Sequence, residues 1–265
     1  MTTTQFAKGA VLTSVIEGVG VVTLNRPEAR NALSSEVLRA LPQALNSLDQ
    51  DPDVDVLVIT GSDPAFCAGL DLKELGGSGG NIDPDTPLEA SGPFPSRSKP
   101  LIGAVNGVAV TGGLELALAC DFLIASNRAA FADTHARVGV MPGWGLSVLL
   151  PQAIGVRRAR AMSLTGNYVD ATTAAEWGLV NKVVPHDSLL ETVHSLASDI
   201  RSNDQGGVQQ MVRTYERTAA TTIGEGWEIE ASMGRDWLKK TNFKPEKGAQ
   251  RVADIQNRGR AQNNF

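Results

Sequence analysis

The sequence predicts an α/β fold that gives way to helix toward the C-terminus, and three observations carry that expectation. Short apolar, β-branched runs alternate with helical patterns from Val54 through Ser126, the rhythm of strands joined by crossover helices in a largely parallel sheet. Two further runs flank Glu17-Gly18 near the N-terminus, the pattern of a hairpin. Beyond Asp187 the apolar spacing is helical throughout.

Taken in order, Val11-Leu12 with Val15-Ile16 and then Val19 with Val21 to Leu24 supply the hairpin strands. Asn25 to Ser34 is a polar loop ending in a Ser cap, after which Val37, Leu38, Leu41, Leu45 and Leu48 recur at helical spacing. Pro42 lies inside that helix, where its ring and missing N–H predict a bend or a late start. Val54 to Thr60 reads as a buried strand ended by Gly61. Residues 76–98, rich in Gly, Pro, Ser and Asp, read as a mobile loop or lid beside a site.

The chain is organised around Leu101 to Ser126, LIGAVNGVAVTGGLELALACDFLIAS. It reads as strand, Asn-Gly turn, a short apolar run, a Gly112-Gly113 turn, a helix, and a second strand from Phe122 to Ala125. Glycines before a helix let backbone N–H groups approach a ligand, and the first N–H groups of a helix lack partners, so such a turn can hold an oxyanion. Glu115 interrupts the apolar helix start. Taken alone it either caps the first turn or faces water, since a carboxylate among leucines is costly to bury.

A turn-rich segment follows from Phe131 to Gly145, with a helix from about Leu146. Asp170-Ala171-Thr172 begins a helix that ends at Gly178, and a strand from Leu179 to Val184 stops at Pro185. Leu189, Leu190, Val193, Leu196 and Ile200 then mark one helical face, with further helical segments near 205–220, 224–240 and 246–259. The boundary between core and helical region falls near 186–204.

Hydrophobic content of 42% and charged content of 20% are those of a soluble globular protein. No apolar run suffices to cross a bilayer and the N-terminus lacks a signal-peptide pattern, so no membrane association and a cytoplasmic location are expected. Two cysteines outside any CxxC and three unclustered histidines predict no metal site. Between Arg235 and Arg260 eight basic residues stand against three acidic ones, leaving −10 on the remaining chain and arguing against nucleic-acid binding. That basic run is either a solvated helix face or a surface for a phosphorylated ligand.

Four segments together resemble the crotonase family, also called the enoyl-CoA hydratase/isomerase family. They are Asn25 to Leu33 (NRPEARNAL), Phe66 to Leu72 (FCAGLDL), Asn106-Gly107 through Gly112-Gly113-Leu114-Glu115 to Cys120-Asp121, and Phe131 through Gly139 to Pro142-Gly143. The resemblance implies a ββα-spiral core over residues 1–190 and a helical oligomerisation region over 191–265. It also implies a homotrimer or dimer of trimers, a CoA thioester as substrate, and no tightly bound cofactor.

The resemblance further implies that two backbone amides, matched here to Leu70 and Gly112, hold the enolate oxygen of the thioester. Such donors are typically worth ~3–4 kcal/mol each in the transition state. The family's first catalytic glutamate matches Glu115; the second falls on His135. A glutamate with a histidine can still do acid–base work, and the other reading of His135 is a pocket residue satisfied by Asp133 or a backbone carbonyl. If only a carboxylate is missing, His135→Glu is expected to raise hydration. CoA contacts are matched to Ala29, Arg30, Ala68 and Leu72, and the acyl end to Gly143 and Trp144, the Trp either packing the core or narrowing the acyl site. Leu88 and Phe94 are placed at the acyl tail, and Arg30 and Lys247 either near the ADP phosphates or on ordinary charged surface. The resemblance points to hydration of a 2-enoyl-CoA, with double-bond isomerisation and non-catalytic acyl-CoA binding as the competing readings.

Overall fold

The computed structural model describes residues 3–75, 92–219 and 221–241. The chain forms two compact units, 1–209 and 210–265. The first begins with β1 (Thr3–Phe6), β2 (Val11–Ile16) and β3 (Val19–Leu24). β2 and β3 pair antiparallel as the hairpin expected from the sequence, and the turn residues Glu17 and Gly18 both have positive φ, which suits the right-handed strand twist.

Helix α1 (Ser35–Gln50) follows, with the Ser34 hydroxyl accepting from the Val37 N–H at 3.3 Å. The helix therefore starts at its cap and runs through Pro42, so the late start is corrected. One face, Val37, Leu41, Leu45 and Leu48, is buried along the whole length, and this packing outweighs the one backbone bond that Pro42 forgoes.

Then come three repeats of strand, strand, helix. The first is β4 (Val56–Gly61), β5 (Ala65–Cys67) and α2 (Leu72–Leu75). The second is β6 (Leu101–Val105), β7 (Val108–Val110) and α3 (Gly112–Leu118). The third is β8 (Phe122–Ser126), β9 (Ala130–Ala132) and α4 (His135–Val138). In each repeat the first strand joins one sheet and the second strand joins another. With β10 (Val169–Asp170) and β11 (Lys182–Val184) further along the chain, the larger sheet among the described residues has the order β1-β2-β3-β4-β6-β8-β11 and the smaller β10-β9-β7-β5. This is the ββα spiral.

The unit is completed by α5 (Leu146–Ile154), α6 (Val156–Thr165), β10 (Val169–Asp170), α7 (Ala171–Trp177), β11 (Lys182–Val184) and α8 (Leu189–Arg201). Asp170 caps α7 by accepting from the Thr173 N–H at 2.8 Å, and Gly178 ends it with φ 86°. From β3 through β11 the large sheet is parallel.

Strand β4 shows why its sequence is an unbroken apolar run. Leu57 and Ile59 pack with Leu41 and Leu45 of α1 on one face, whereas Val56 and Val58 pack with Leu189, Val193 and Ala197 of α8 on the other. Helix α8 therefore belongs with the sheet, and the first compact unit extends to residue 209. Leu190 falls off the packed face and is exposed, because one step along a helix turns the side chain through ~100°. Of the second unit, residues of α9 (Gln205–Ala219) and α10 (Ile223–Thr241) are described. The expected lid at 76–98 lies outside the described residues except for 92–98, and so do the helical segment at 246–259, Leu88 and Lys247. Phe94 is buried.

Candidate active site

Strands β5, β7 and β9 lie side by side and parallel in the small sheet. The three turns that leave them for α2, α3 and α4 therefore emerge at one edge. Those turns carry Gly69-Leu70, Thr111-Gly112 and Asp133-Thr134-His135, so equivalent points of successive repeats supply the candidate site.

The first turn is fixed by the Asn25–Leu33 loop. Ala68 N–H donates to the Arg30 carbonyl at 3.0 Å, Leu33 N–H to the Gly69 carbonyl at 2.8 Å, and Asp71 N–H to the Leu33 carbonyl at 3.1 Å. The Leu70 N–H between them donates to no backbone carbonyl among the described residues. Arg26 pairs with Asp71 at 2.9 Å and donates to the Ala32 carbonyl at 2.7 Å. Asn31, in the left-handed region at φ 57°, donates to the carbonyls of Ser62 and Ala65 and accepts from Arg26 N–H.

The second turn abuts the first. A Cβ at Gly112 would lie 3.8 Å from Gly69 Cα and 3.4 Å from the Trp144 ring, while one at Gly69 would lie 2.8 Å from the Val110 carbonyl. At Gly69, where φ is also 87°, only glycine permits this approach, whereas the Gly112 side is close but not closed to a Cβ. Thr111, between strand and helix, sits at φ 53° and ψ −116°, a costly region for a β-branched residue. It is held there by its N–H on the Ala132 carbonyl at 2.9 Å and by a hydroxyl contact with Thr134 at 3.1 Å. Gly112 N–H, the first of α3, has no backbone partner among the described residues.

Glu115 is 2% exposed, and its Oε1 accepts from the Trp144 N–H at 2.7 Å. It neither caps α3 nor faces water, so both readings open to the sequence alone are corrected. The cost of burying the carboxylate is met by an amide far along the chain. Its other oxygen, Oε2, lies 3.6 Å from Nε2 of His135.

His135 is 5% exposed. Its Nδ1 meets Asp133 Oδ1 at 2.7 Å, and the same oxygen accepts the His135 backbone N–H at 3.1 Å. Burial by itself would lower the imidazole's proton affinity, but the hydrogen bond with Asp133 and the facing Glu115 carboxylate outweigh it and push the pKa up to about 9. For Asp133 burial works upward, yet hydrogen bonds from His135 and Ser163 hold the carboxyl below its ordinary range. His135 thus has one ring nitrogen satisfied by Asp133, as the pocket reading expects, while the other faces Glu115.

Trp144 likewise has two attachments. Its amide holds Glu115, and its ring packs over Gly112 and against the core; Gly143 precedes it, half-buried. Of the residues matched to CoA, Ala29 closes a 3-10 turn, Arg30 is exposed in the left-handed region, Ala68 is half-buried, and Leu72 is 61% exposed at the start of α2. Sequence reasoning missed the Trp144 amide, the Thr111–Thr134 contact, the Arg26–Asp71 pair and Ser163. None carries a local signal, since each acts across more than twenty residues of chain. Cys67 is buried, its thiol pushed up to about 12 by desolvation, which leaves it inert as a nucleophile.

A family model described as enoyl-CoA hydratase/isomerase matches residues 15–257. Over 215 residues the chain is 42% identical to a probable peroxisomal enoyl-CoA hydratase of Arabidopsis thaliana, covering 80% of each. It is 38% identical to a probable enoyl-CoA hydratase of Mycobacterium leprae, over 82% of this chain and 84% of the relative. The solved enoyl-CoA hydratase of Mycobacterium smegmatis superposes with a TM-score of 0.73 at 49% identity, covering 87% of this chain and 99% of that one. An enoyl-CoA hydratase structure from Geobacillus kaustophilus gives 0.81 at 28% identity, covering 93% and 95%.

Proposed function

The chain belongs to the enoyl-CoA hydratase/isomerase family, and from that membership we propose that it adds water across the C2=C3 bond of a 2-enoyl-CoA. The observation that carries this reading is the buried Glu115 carboxylate, with one oxygen anchored by the Trp144 amide and the other facing His135. It lies on the helix that begins at the abutting glycine turns. In this reading the thioester oxygen takes the Leu70 and Gly112 N–H groups, and the enolate that forms there is stabilised by donors already in place. Glu115 is the base for the water, and His135 works beside it.

Ala29, Arg30, Ala68 and Leu72 are proposed to contact CoA, whose thioester is the substrate, with no tightly bound cofactor. Gly143 and Trp144 border the acyl group. Exposed Tyr215 on α9 and Ile223 and Trp227 on α10 support a homotrimer or dimer of trimers, because large apolar side chains left on a surface mark interfaces. A cytoplasmic location remains our reading, although the similar Arabidopsis thaliana protein is named as peroxisomal.

A second reading, double-bond isomerisation, is favoured by one specific feature: Glu115 faces a histidine and not a second carboxylate. One base can remove and return a proton without an activated water. Crotonyl-CoA tests the choice, because hydration abolishes the absorbance of the conjugated thioester. Wild type is expected to turn it over, and Glu115→Gln to lose at least ~100-fold in kcat. Unchanged turnover in Glu115→Gln removes Glu115 from the mechanism. Isomerisation of a 3-enoyl-CoA without hydration of crotonyl-CoA favours the second reading, and tight binding of thioesters without turnover indicates a binding protein.

A further inference from the structure

We propose, resting on the hydratase reading above, that Asp133 is a positioning residue that makes His135 the proton donor to substrate C2, so that an Asp133–His135 pair replaces the second carboxylate of the site. Asp133 Oδ1 receives both the ring Nδ1 and the backbone N–H of His135. The ring is therefore fixed at two points with Nε2 turned to Glu115. An ionised carboxylate can only accept, so Nδ1 carries a hydrogen and the proton that moves is the one on Nε2.

Charge balance explains why the substitution preserves the chemistry. Two glutamates sharing one proton carry −1; Glu115, Asp133 and an imidazolium also sum to −1. All three side chains are at least nine-tenths buried, and a neutral ring would leave two buried carboxylates with no counter-charge. The groups facing His135 are Asp133 from its own turn and Glu115 from α3, with Ser163 of α6 on Asp133 and the Trp144 amide on Glu115. Arg137, two residues on, is turned to the Thr165 carbonyl and Asn167.

The step balances without any further reactant. Glu115 takes a proton from water as the water oxygen bonds to C3, and the C2=C3 electron pair shifts to leave an enolate on the thioester oxygen. C2 then takes the Nε2 proton of His135 as the thioester carbonyl re-forms. The proton on Glu115 passes to Nε2 across the 3.6 Å gap, which restores the starting charges.

The test measures crotonyl-CoA hydration against pH for wild type, Asp133→Asn and His135→Gln, together with an NMR titration of the ¹³C/¹⁵N-labelled His135 ring. Asp133→Asn is expected to lower kcat by at least ~10-fold while KM changes less than ~3-fold. It should also move the alkaline limb of the rate profile and the ring titration together to lower pH. An Asp133→Asn enzyme with wild-type kcat and an unmoved limb overturns the positioning role. Full hydration by His135→Gln overturns the donor role and leaves the hydratase reading standing. Wild type that hydrates no 2-enoyl-CoA overturns the hydratase reading itself, and the donor role with it, whatever the ring titration shows. Should Asp133→Asn fail to fold, Ser163→Ala, which removes a competing donor and leaves the Asp133 carboxylate a stronger acceptor for His135, is expected to move the limb to higher pH, and an unmoved limb there is equally fatal.

Discussion

Raising the pH should remove a calculable share of stability through one side chain. His135 has its pKa raised from 6.5 to about 9 by Asp133 and Glu115, against the opposing effect of burial. A group that binds its proton more tightly when folded stabilises the fold fully below its unfolded pKa. That contribution is lost as pH rises through the folded value. At ~1.4 kcal/mol per tenfold change in proton affinity, the interval amounts to about 3 kcal/mol, a sizeable part of the 5–15 kcal/mol of a typical domain.

Urea unfolding of wild type and His135→Gln at pH 5.5, 7.5 and 9.5 reads the coupled Asp133–His135–Glu115 term as a difference, because titrating groups away from this cluster are common to both. The difference between the two proteins should shrink by about 3 kcal/mol from the lowest pH to the highest, most steeply above pH 7.5. A difference that stays constant would show that His135 gains no proton affinity on folding, and the charge balance drawn above would fail.

Further perturbations have directions set by the same geometry. His135→Glu, expected from the resemblance alone to raise hydration, should instead cost on the order of 3 kcal/mol in unfolding experiments and lower turnover, because it places a third carboxylate between Asp133 and Glu115. Gly113→Ala would drive a Cβ into the Cys67 backbone, 2.9 Å from Cys67 Cβ, and should cost at least ~2 kcal/mol. Gly112→Ala meets Leu33 and Trp144 only at 3.3 and 3.4 Å, so its cost should stay near ~1 kcal/mol while crotonyl-CoA turnover falls more than thermal stability does. Arg26→Ala strips Asp71 of its partner beside the Leu70 turn, and denaturant titration should show a loss of about 2 kcal/mol.

Elements whose signals are local were legible from residue order. The Glu17-Gly18 hairpin, the Ser34 and Asp170 caps, and the Gly112-Gly113 turn into α3 all rest on side chains within a few residues of one another. β5, β9 and β10 were missed because strands of two or three residues are too short to show a period. The division of strands between two sheets was missed for a related reason: alternation in sequence says that strands pair, not which sheet each joins. Nothing in the residues from Phe66 to Leu72 says what that segment faces; parallel pairing of β5 with β7 is what brings its turn against Gly112.

By itself the sequence determined that a helix would follow the Gly112-Gly113 turn with a carboxylate near its start, and the family resemblance it carries put a histidine at the place of a second acid. Tertiary structure alone decided where those groups point and which distant partners they meet. Burial makes an ionised side chain depend on partners that space supplies: the Asp133–His135 contact is local, but the Trp144 amide reaches Glu115, Ser163 reaches Asp133, and Glu115 faces His135 only after the spiral has closed.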